Sequence, residues 1–242
     1  MQSSVVSIQL LVMSKTFIIF ENATTYFCGV EDTFKHQALR KKLILHLKKS
    51  GIKDFKVLQA MEKIPRHFFF NSAFLQFAYD DVAFQIGEGQ TISQPYTVAR
   101  QTELLEVRKG DTILEIGTGS GYQAAVLSGL GATVVSIERN KKLHERAKNM
   151  LEELKCHVKC FYGDGYKGLP EFAPYDRIIV TAAAPYVPDN LLKQLKPRGI
   201  LIIPVGKDNL QVMKKIRKID ENEYDIKDFG NFSFVPLLNE TS

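Results

Sequence analysis

The 242-residue sequence has few cysteines and no stretch suited to crossing a membrane or directing export. Three cysteines, an odd number, provide no disulfide framework, which favours a reducing, cytoplasmic compartment. The apolar positions within residues 5–20 are interrupted, and neither a basic start nor a small-residue cleavage site accompanies them. A net charge of +5 is mild and does not by itself indicate a nucleic-acid partner. We therefore expect neither a membrane nor a nucleic acid as a partner.

Signatures of nucleophilic and metal chemistry are also lacking. Cys156-His157-x-x-Cys160 is the nearest approach to a metal motif, but no second ligand pair lies nearby in the sequence, so we predict no metal site. His67 has no acidic partner at an obvious spacing and is interpreted as structural. Asp80 and Asp81 are adjacent, so we expect their side chains to point apart rather than to form an acid–base dyad.

The composition is sufficient for one large α/β domain. A hydrophobic content of 45% over this length can fill a complete core. Residues 1–29 differ from the rest and are interpreted as a disordered extension or the product of a start codon placed too early. Helical spacing begins at Thr33, and we predict a single domain over residues 30–242 that opens with a helical cap at 33–80.

The most informative stretch runs from Ile113 to Tyr122 and joins an apolar strand to a glycine turn. Glycines at 117, 119 and 121 follow the strand, and helical spacing follows the glycines, a context in which backbone approaches a ligand closely. A second strand, Thr133–Ile137, leads into Glu138, about 20 residues beyond the first glycine. An acid at that place suits a pair of ribose hydroxyls.

The acidic residues around this turn indicate which ligand it binds. The glycine spacing differs from the Gly-x-Gly-x-x-Gly of dinucleotide enzymes, and Glu115 beside it suits a ligand with a positive end, such as S-adenosylmethionine. Asp164 lies between two glycines after a third strand at 158–162. It is placed to accept the adenine amino group, with a plain turn as the alternative.

Strands and helices alternate through the rest of the chain, which is typical of an α/β fold with a doubly wound sheet. Four further strands are predicted at 175–180, 200–205, 211–219 and 232–237, with a turn at 196–199.

A turn-rich stretch precedes the first strand. Residues 87–95 lead into a predicted helix from Tyr96 to Val107, for which Ser93 is the expected N-cap. The same loop would overhang the cofactor, so capping and function are compatible for Ser93.

Several of these stretches together resemble the protein-L-isoaspartate O-methyltransferase family in its bacterial form. The glycine turn alone indicates a class I methyltransferase, whereas Thr91-Ile92-Ser93-Gln94-Pro95 is the specific part. Gly163-Asp164-Gly165, Ile178–Ala183 and Phe234–Leu237 fit as well. The resemblance spans residues 33–237, and the first thirty residues have no counterpart in the family.

The resemblance implies a mostly parallel, seven-stranded, doubly wound sheet with helices on both faces. It also implies transfer of a methyl group from S-adenosylmethionine to the α-carboxyl of L-isoaspartyl residues in damaged proteins and peptides. The methyl ester then re-forms a succinimide, whose hydrolysis returns some normal aspartate. A monomer is expected.

Site residues follow from the same resemblance. Ser93 would be the active-site serine, which orients the substrate carboxylate rather than acting as a nucleophile. The cofactor would be bound by Glu115, Gly117, Thr118, Gly119, Gly121, Glu138, Asp164 and Gly165. The substrate would be bound by Ile92, Ser93, Ala182, Ala183, Pro204 and Val205.

Two alternatives stay open from the sequence. The first is a class I methyltransferase for RNA or a small molecule. Amino-directed enzymes of that kind usually carry Asn/Asp-Pro-Pro-aromatic where this chain has Thr181-Ala182-Ala183-Ala184. The second is a non-catalytic binding module that keeps the cofactor pocket, and the intact Ser93 loop argues against it.

Overall fold

The computed structural model describes residues 26–27, 30–207, 210–239 and 241–242. The interpretation of residues 1–29 as an extension falls almost wholly outside these ranges. Within them, no helix is both long enough and apolar enough to cross a membrane.

Helices and strands alternate through most of the described chain. The α-helices are α1 (Phe34–Lys49), α2 (Phe55–Lys63), α3 (Pro95–Leu105), α4 (Tyr122–Gly129), α5 (Lys141–Glu153) and α6 (Asp189–Lys193). Short 3₁₀ segments lie at Arg66–Phe69, Ser72–Phe77 and Pro170–Phe172. The strands are β1 (Tyr26–Phe27), β2 (Val30–Glu31), β3 (Phe84–Gly87), β4 (Gln90–Ile92), β5 (Thr112–Ile116), β6 (Thr133–Glu138), β7 (Val158–Tyr162), β8 (Tyr175–Val180), β9 (Leu195–Val205), β10 (Gln211–Asp220) and β11 (Glu223–Phe232).

Seven of these strands form one sheet in the order β11-β10-β9-β8-β5-β6-β7. Strands β5 to β9 are parallel, and β10 and β11 add antiparallel strands at one side. The chain leaves β5 towards β6 and β7 on one side and returns to β8 and β9 on the other. The strand order therefore reverses beside β5. The predicted seven-stranded, mostly parallel sheet is confirmed.

Alternate residues of the central strands face two apolar layers, as the period of a strand requires. Ile113 and Ile179 face the layer that includes α1 to α4. Leu114 and Ile178 face the other layer, to which α6 contributes Leu191. Helices therefore cover both faces, and the second face is covered mostly by the short α6 and the loops beside it.

Capping residues mark the ends of the two helices in the helical cap. Thr33 Oγ1 accepts a hydrogen bond from the His36 amide at the start of α1 (3.3 Å). The Asp54 carboxylate accepts one from the Lys56 amide at the start of α2 (2.8 Å). Between the two helices Gly51 has a φ of +102°, a conformation that favours glycine after a helix end.

Strand β9 starts earlier than the sequence predicts. Tyr175 pairs with Leu195 and Arg177 with Ile200, so the residues of the expected turn at 196–199 form a bulge within the strand. The predicted turn at 196–199 is therefore wrong: these residues interrupt the regular pairing of β9 but do not reverse the chain.

The predicted strand at 232–237 is wrong. The last strand, β11, ends at Phe232, and the chain then leaves the sheet and crosses towards the end of β8, where Ala183 bridges Pro236. Strand β11 lies at the sheet edge and carries charged residues at 223, 225, 227 and 228. Charges protect an edge strand from pairing with other chains, and they also hide it from a search for apolar alternation.

Candidate active site

Two cavities lie side by side near the carboxyl ends of the parallel strands, where open α/β sheets bind ligands. We call the first the glycine-loop pocket; it is lined by Gln90, Thr91, Ile92, Ser93, Val98, Gly117, Thr118, Gly119, Ser120, Tyr122, Gln123, Glu138, Thr181, Ala182 and Val235. We call the second the adjacent cleft; it is lined by Ala83, Thr91, Ser93, Gln94, Tyr96, Thr97, Thr181, Leu210, Phe229, Gly230, Asn231, Phe232, Ser233, Phe234 and Val235.

The glycine loop needs glycine at its first position for two reasons. Gly117 has a φ of +93°, and a Cβ added there would lie 2.6 Å from Thr181 Oγ1. That hydroxyl donates a hydrogen bond to the Gly117 carbonyl (2.6 Å) and so ties the loop to the end of β8. Gly119 also has a positive φ, of +53°. The loop backbone therefore forms a wall of the pocket without side chains in the way.

Glu138 lies where the sequence placed an acceptor for ribose hydroxyls. It lines the glycine-loop pocket at the end of β6 and is 6% exposed. Its two oxygens accept hydrogen bonds from the amides of Gly119 and Asn140, each at 2.9 Å. An ionised carboxylate has about four acceptor positions, so the protein leaves about two for a ligand.

Gln123 is a polar residue of the same pocket that the sequence analysis missed. Its side-chain nitrogen donates to Thr102 Oγ1 (2.9 Å), while its buried Oε1 has no hydrogen-bond partner within the described structure. A buried acceptor without a partner is costly, which fits an acceptor reserved for a bound donor. The fit to a nucleoside ligand therefore rests on the loop backbone, the Glu138 carboxylate and this amide oxygen.

Glu115 lies beneath the pocket rather than in its wall. The side chain is fully buried, and Ser136 Oγ donates a hydrogen bond to its Oε2. Ser136 Oγ also lies 2.6 Å from Thr118 Oγ1, so the carboxyl is linked to the glycine loop through two hydroxyls. Burial raises the pKa of Glu115 to about 8, which leaves the group largely neutral at pH 7.

Three other predicted cofactor residues lie outside the pocket lining. Gly121, with a φ of +89°, precedes α4, and an added Cβ would press on Leu151. Gly165 has no room for a Cβ beside Ile116. Asp164 follows β7, and its Oδ1 accepts a hydrogen bond from the Tyr166 amide (2.9 Å), the turn geometry named as its alternative role.

Ser93 lies in the wall shared by the two cavities. Four residues line both of them: Thr91, Ser93, Thr181 and Val235. A ligand in the glycine-loop pocket and a ligand in the adjacent cleft would therefore meet at this wall.

The prediction that Ser93 caps the following helix is wrong. Helix α3 begins at Pro95, and its N-cap residue is Gln94. The Gln94 side chain makes no capping hydrogen bond. The amide of Tyr96 instead donates to Oδ1 of Asp81 (2.8 Å), 15 positions earlier in the chain. Asp81 therefore provides the cap from another segment, and Ser93 is not needed for it.

The predicted substrate residues divide into two groups. Ile92, Ser93 and Ala182 line the glycine-loop pocket. Ala183 instead pairs with the C-terminal segment, since its amide donates to the Val235 carbonyl (2.8 Å). Pro204 and Val205 line neither cavity; the Pro204 carbonyl accepts a hydrogen bond from the Ala184 amide (3.0 Å).

His67 belongs to a polar cluster in the helical cap. It is fully buried, with Nδ1 2.6 Å from the Tyr79 hydroxyl, and burial lowers its pKa to about 4. Asp32 and His36 complete a set whose possible ligand atoms lie within 4.8 Å of one another. Both Asp32 oxygens, however, accept hydrogen bonds from Arg40, at 3.0 and 2.9 Å. These contacts agree with the structural interpretation of His67.

Comparison with known sequences identifies relatives along most of the chain. The family model described as protein-L-isoaspartate(D-aspartate) O-methyltransferase matches residues 38–242. A protein-L-isoaspartate O-methyltransferase of Flavobacterium psychrophilum is 55% identical over 212 residues, which are 87% of this chain and 99% of the relative. The enzyme of that name from Cytophaga hutchinsonii is 53% identical over 211 residues, 87% of this chain and 96% of the relative.

Solved structures give the same result. One protein-L-isoaspartate O-methyltransferase is 36% identical with a TM-score of 0.75; the match covers 81% of this chain and 65% of that chain, slightly under two thirds of it. One from Plasmodium falciparum, in complex with S-adenosyl-L-homocysteine, is 26% identical with a TM-score of 0.73, and the match covers 82% of this chain and 98% of that one.

Proposed function

This chain belongs to the protein-L-isoaspartate O-methyltransferase family, and on that premise we propose that its reaction takes place at Ser93, where the glycine-loop pocket meets the adjacent cleft. The enzyme transfers a methyl group from S-adenosylmethionine to the α-carboxyl of L-isoaspartyl residues and so begins their repair. The wall that Thr91, Ser93, Thr181 and Val235 give to both cavities is the observation that supports this location.

The glycine-loop pocket is assigned to S-adenosylmethionine, which supplies a methyl group on a positively charged sulfonium when bound. Gly117 and Gly119 would let the loop backbone approach the cofactor, and Glu138 would accept hydrogen bonds from its ribose hydroxyls. Asp164, which follows the next strand and lies outside the pocket lining, would accept a hydrogen bond from the adenine amino group. The free Oε1 of Gln123 offers a further acceptor in the same pocket.

The adjacent cleft is assigned to the damaged polypeptide. One side of it is formed by residues 94–97 and the other by residues 229–235. Asn231 and Ser233 contribute side chains that can hydrogen-bond a peptide backbone, and the neighbouring phenylalanines give an apolar surface. A cleft of this kind can accept many sequences, which suits an enzyme that recognises a backbone lesion.

The reacting carboxyl sets a simple task for the protein. An α-carboxyl group has a pKa of about 3.5, so it is already an anion at neutral pH and needs no general base. What remains is to place one carboxylate oxygen in line with the methyl group and to keep water out. This agrees with the lack of a His–Asp or Cys–His pair among the residues that line the two cavities.

Ser93 is assigned the orienting role. Its hydroxyl is not used as a helix cap, and it lies in the wall between the two cavities. A hydroxyl that donates to a carboxylate makes a charge-assisted hydrogen bond, which is stronger than a neutral one and fixes the acceptor in place. Ser93 therefore holds the substrate oxygen and does not attack.

Methylation makes the carboxyl reactive enough for repair. The methoxy group of the ester is a better leaving group than the oxygen of a carboxylate. The neighbouring backbone nitrogen therefore attacks the ester carbonyl, its proton leaves with the methoxy group as methanol, and the succinimide re-forms. Hydrolysis of the succinimide returns part of the material to normal aspartate.

The test is methyl transfer from labelled cofactor to three matched peptides that carry L-isoaspartate, L-aspartate or D-aspartate at one position. We expect label on the L-isoaspartyl peptide and none on the L-aspartyl peptide, and the D-aspartyl peptide measures how strict the site is. Equal labelling of the L-isoaspartyl and L-aspartyl peptides would contradict the proposed recognition.

We also propose that the working unit is a monomer in the cytoplasm. One chain is sufficient to line the two cavities, so the proposed site does not require a second copy. Among the described residues, Cys156 and Cys160 are not joined in a disulfide, which supports a reducing compartment. Light scattering of the purified protein measures the oligomeric state, and a dimeric mass would contradict the first part.

A further inference from the structure

A buried arginine with no carboxylate at ion-pair distance, among the described residues, lies next to the Ser93 loop. Arg66 begins the 3₁₀ segment after α2, and it is 1% exposed. Across the part of the chain that the structure describes, no carboxylate lies within 4.0 Å of its guanidinium. Moving a charge out of water is costly, and buried charges are therefore usually paired. The lack of a pair at Arg66 points to a role other than general stability.

The guanidinium holds two backbone carbonyls instead. Its Nε donates to the Ala78 carbonyl (3.0 Å), and its Nη2 donates to the Ser93 carbonyl (2.8 Å). The planar guanidinium of an arginine can donate to both carbonyls at once. A lysine ammonium, on its flexible side chain, would hold them less rigidly. Arg66 thus connects the helical cap to the backbone of Ser93 itself.

The same side chain contacts the glycine-loop pocket from behind. Its Cζ lies 4.7 Å from the ring centre of Tyr122, the first residue of α4 and a lining residue of that pocket. The ring centre of Phe70 lies 5.4 Å from the same Cζ. Aromatic faces stabilise a buried cation, and burial lowers the pKa of Arg66 to about 10, so it stays charged at neutral pH.

The charge of Arg66 is compensated only in part: Tyr122, Tyr79 and Asp81 favour its charged form, but no carboxylate of the described residues forms an ion pair with it. Nη1 of Arg66 is buried without a hydrogen-bond partner among the described residues. The guanidinium is one hydrogen bond (2.8 Å) from the backbone of Ser93, so its positive charge lies close to the shared wall, where an anionic carboxylate has to bind. In a region from which water is excluded, such a charge is screened less than at a surface.

We propose that Arg66 is a positioning residue for methyl transfer: it fixes the Ser93 carbonyl so that the Ser93 hydroxyl stays at the shared wall, and its positive charge favours the substrate carboxylate there. This inference rests on the orienting role proposed for Ser93. It makes two separable claims, one about hydrogen-bond geometry and one about charge.

Two substitutions separate these claims. Arg66→Lys keeps the positive charge and loses the two-carbonyl fork, so we expect kcat for the L-isoaspartyl peptide to fall about tenfold with KM little changed. Arg66→Met removes the charge as well, so we expect the same fall in kcat together with a higher KM for the peptide. Affinity for S-adenosylhomocysteine should stay near wild type in both, and titration with it counts the folded sites.

Arg40 provides the matched control. It is also buried, at 8% exposure, but its guanidinium is paired with Asp32 and the Tyr79 hydroxyl within the helical cap. Arg40→Lys should lower the melting temperature and leave kcat and KM per folded site unchanged. If the Arg66 variants behave in the same way, Arg66 is a structural residue and the proposal is overturned.

A double-mutant cycle with Ser93→Ala tests whether Arg66 acts through Ser93. If it does, Arg66→Lys costs little further kcat in the Ser93→Ala background, because coupled residues are not additive. A full additional tenfold loss would show an independent effect and overturn the proposal. The single Ser93→Ala variant reports separately on the proposed function, so failure of the Ser93 assignment and failure of the Arg66 assignment give different results.

Discussion

The glycine-loop pocket and the adjacent cleft meet at one wall, but the chain builds them in different ways. The largest single part of the pocket lining is the glycine loop, residues 117–120 with 122 and 123, and other segments complete the pocket. The cleft combines residue 83, residues within 91–97, Thr181, Leu210 and residues 229–235. The glycine loop is thus a local structure, whereas the cleft exists only after distant segments have docked.

Side-chain contacts that span long sequence distances hold the cleft together. Asp81 binds the amide of Tyr96 at one side. At the other, Gln211 Oε1 accepts a hydrogen bond from the Phe234 amide (2.9 Å), which holds the segment after β11 over the end of β8. The glycine loop therefore depends mainly on backbone conformation, and the adjacent cleft depends on docking contacts. Substitutions can test that difference.

The largest effect is expected for Gly117→Ala. The substitution puts a Cβ 2.6 Å from Thr181 Oγ1 and forces a positive φ on alanine, so we expect affinity for S-adenosylhomocysteine to fall about a hundredfold by calorimetry. Gly110→Ala is the control, since Gly110 has a φ of +89° and open space around its Cβ position. It shares the backbone strain without the clash and should bind normally. Normal binding by Gly117→Ala would contradict the account of the loop.

Glu138→Gln should have the next largest effect. The amide keeps one acceptor oxygen and loses the charge, so affinity for S-adenosylhomocysteine should fall about tenfold. Glu103→Gln is the matched control, because Glu103 also accepts two backbone amides, those of Lys53 (2.7 Å) and Asp54 (2.9 Å), but lines neither cavity. Equal affinities for the two variants would remove Glu138 from the cofactor site.

Asn231→Ala should have a smaller effect, confined to the substrate side. Asn231 lines the adjacent cleft and not the glycine-loop pocket, so KM for the L-isoaspartyl peptide should rise by about two- to tenfold, the value of one hydrogen bond, with cofactor affinity unchanged. Asn222→Ala, in the exposed turn before β11, is the control. If Asn231→Ala weakened cofactor binding instead, the separation of the two cavities would be wrong.

The smallest effect on binding is expected for Glu115→Gln. An amide is close in shape to the neutral carboxyl that burial favours at this position, and Glu115 lies outside the pocket lining, so cofactor affinity should stay near wild type. Titration calorimetry with S-adenosylhomocysteine checks this, and a large loss of affinity would return Glu115 to the cofactor site.

The same variant should change how stability depends on pH. The folded-state pKa of about 8 lies above the ordinary 4.5, so the folded protein retains a proton that the unfolded chain releases. The resulting stabilisation is complete below pH 4.5 and is lost as the pH rises towards 8. The melting temperature of the wild type should therefore fall relative to Glu115→Gln over that range. A constant difference between the two would contradict the raised pKa.

The sequence predicted the local structures well. The apolar strands, the glycine turn and Glu138 can each be recognised within a short stretch of sequence. Both the alternation of side chains along a strand and a turn with positive φ depend on neighbouring residues. The central sheet and the pocket residues Gly117, Thr118 and Gly119 followed from them.

Other features depend on residues far apart and could not be predicted in this way. Asp81 caps a helix from another segment, so the cap was assigned to Ser93, the nearest suitable residue in the sequence. Nothing in the sequence around Glu115 shows that its side chain is buried under the glycine loop and does not line the pocket. The segment at 232–237 has the composition of a strand, but its position is fixed by Gln211 and by pairing with Ala183.

The central claim is that methyl transfer occurs at the shared wall with Ser93 orienting the carboxylate. The most direct measurement is the single-turnover rate of Ser93→Ala with the L-isoaspartyl peptide, taken with cofactor affinity and melting temperature on the same preparation. Because Asp81, not Ser93, caps α3, we predict a rate about tenfold lower or more, with affinity and melting temperature near wild type. Ser93→Thr, which keeps a hydroxyl donor, should recover part of the rate. A wild-type rate for Ser93→Ala would contradict the claim.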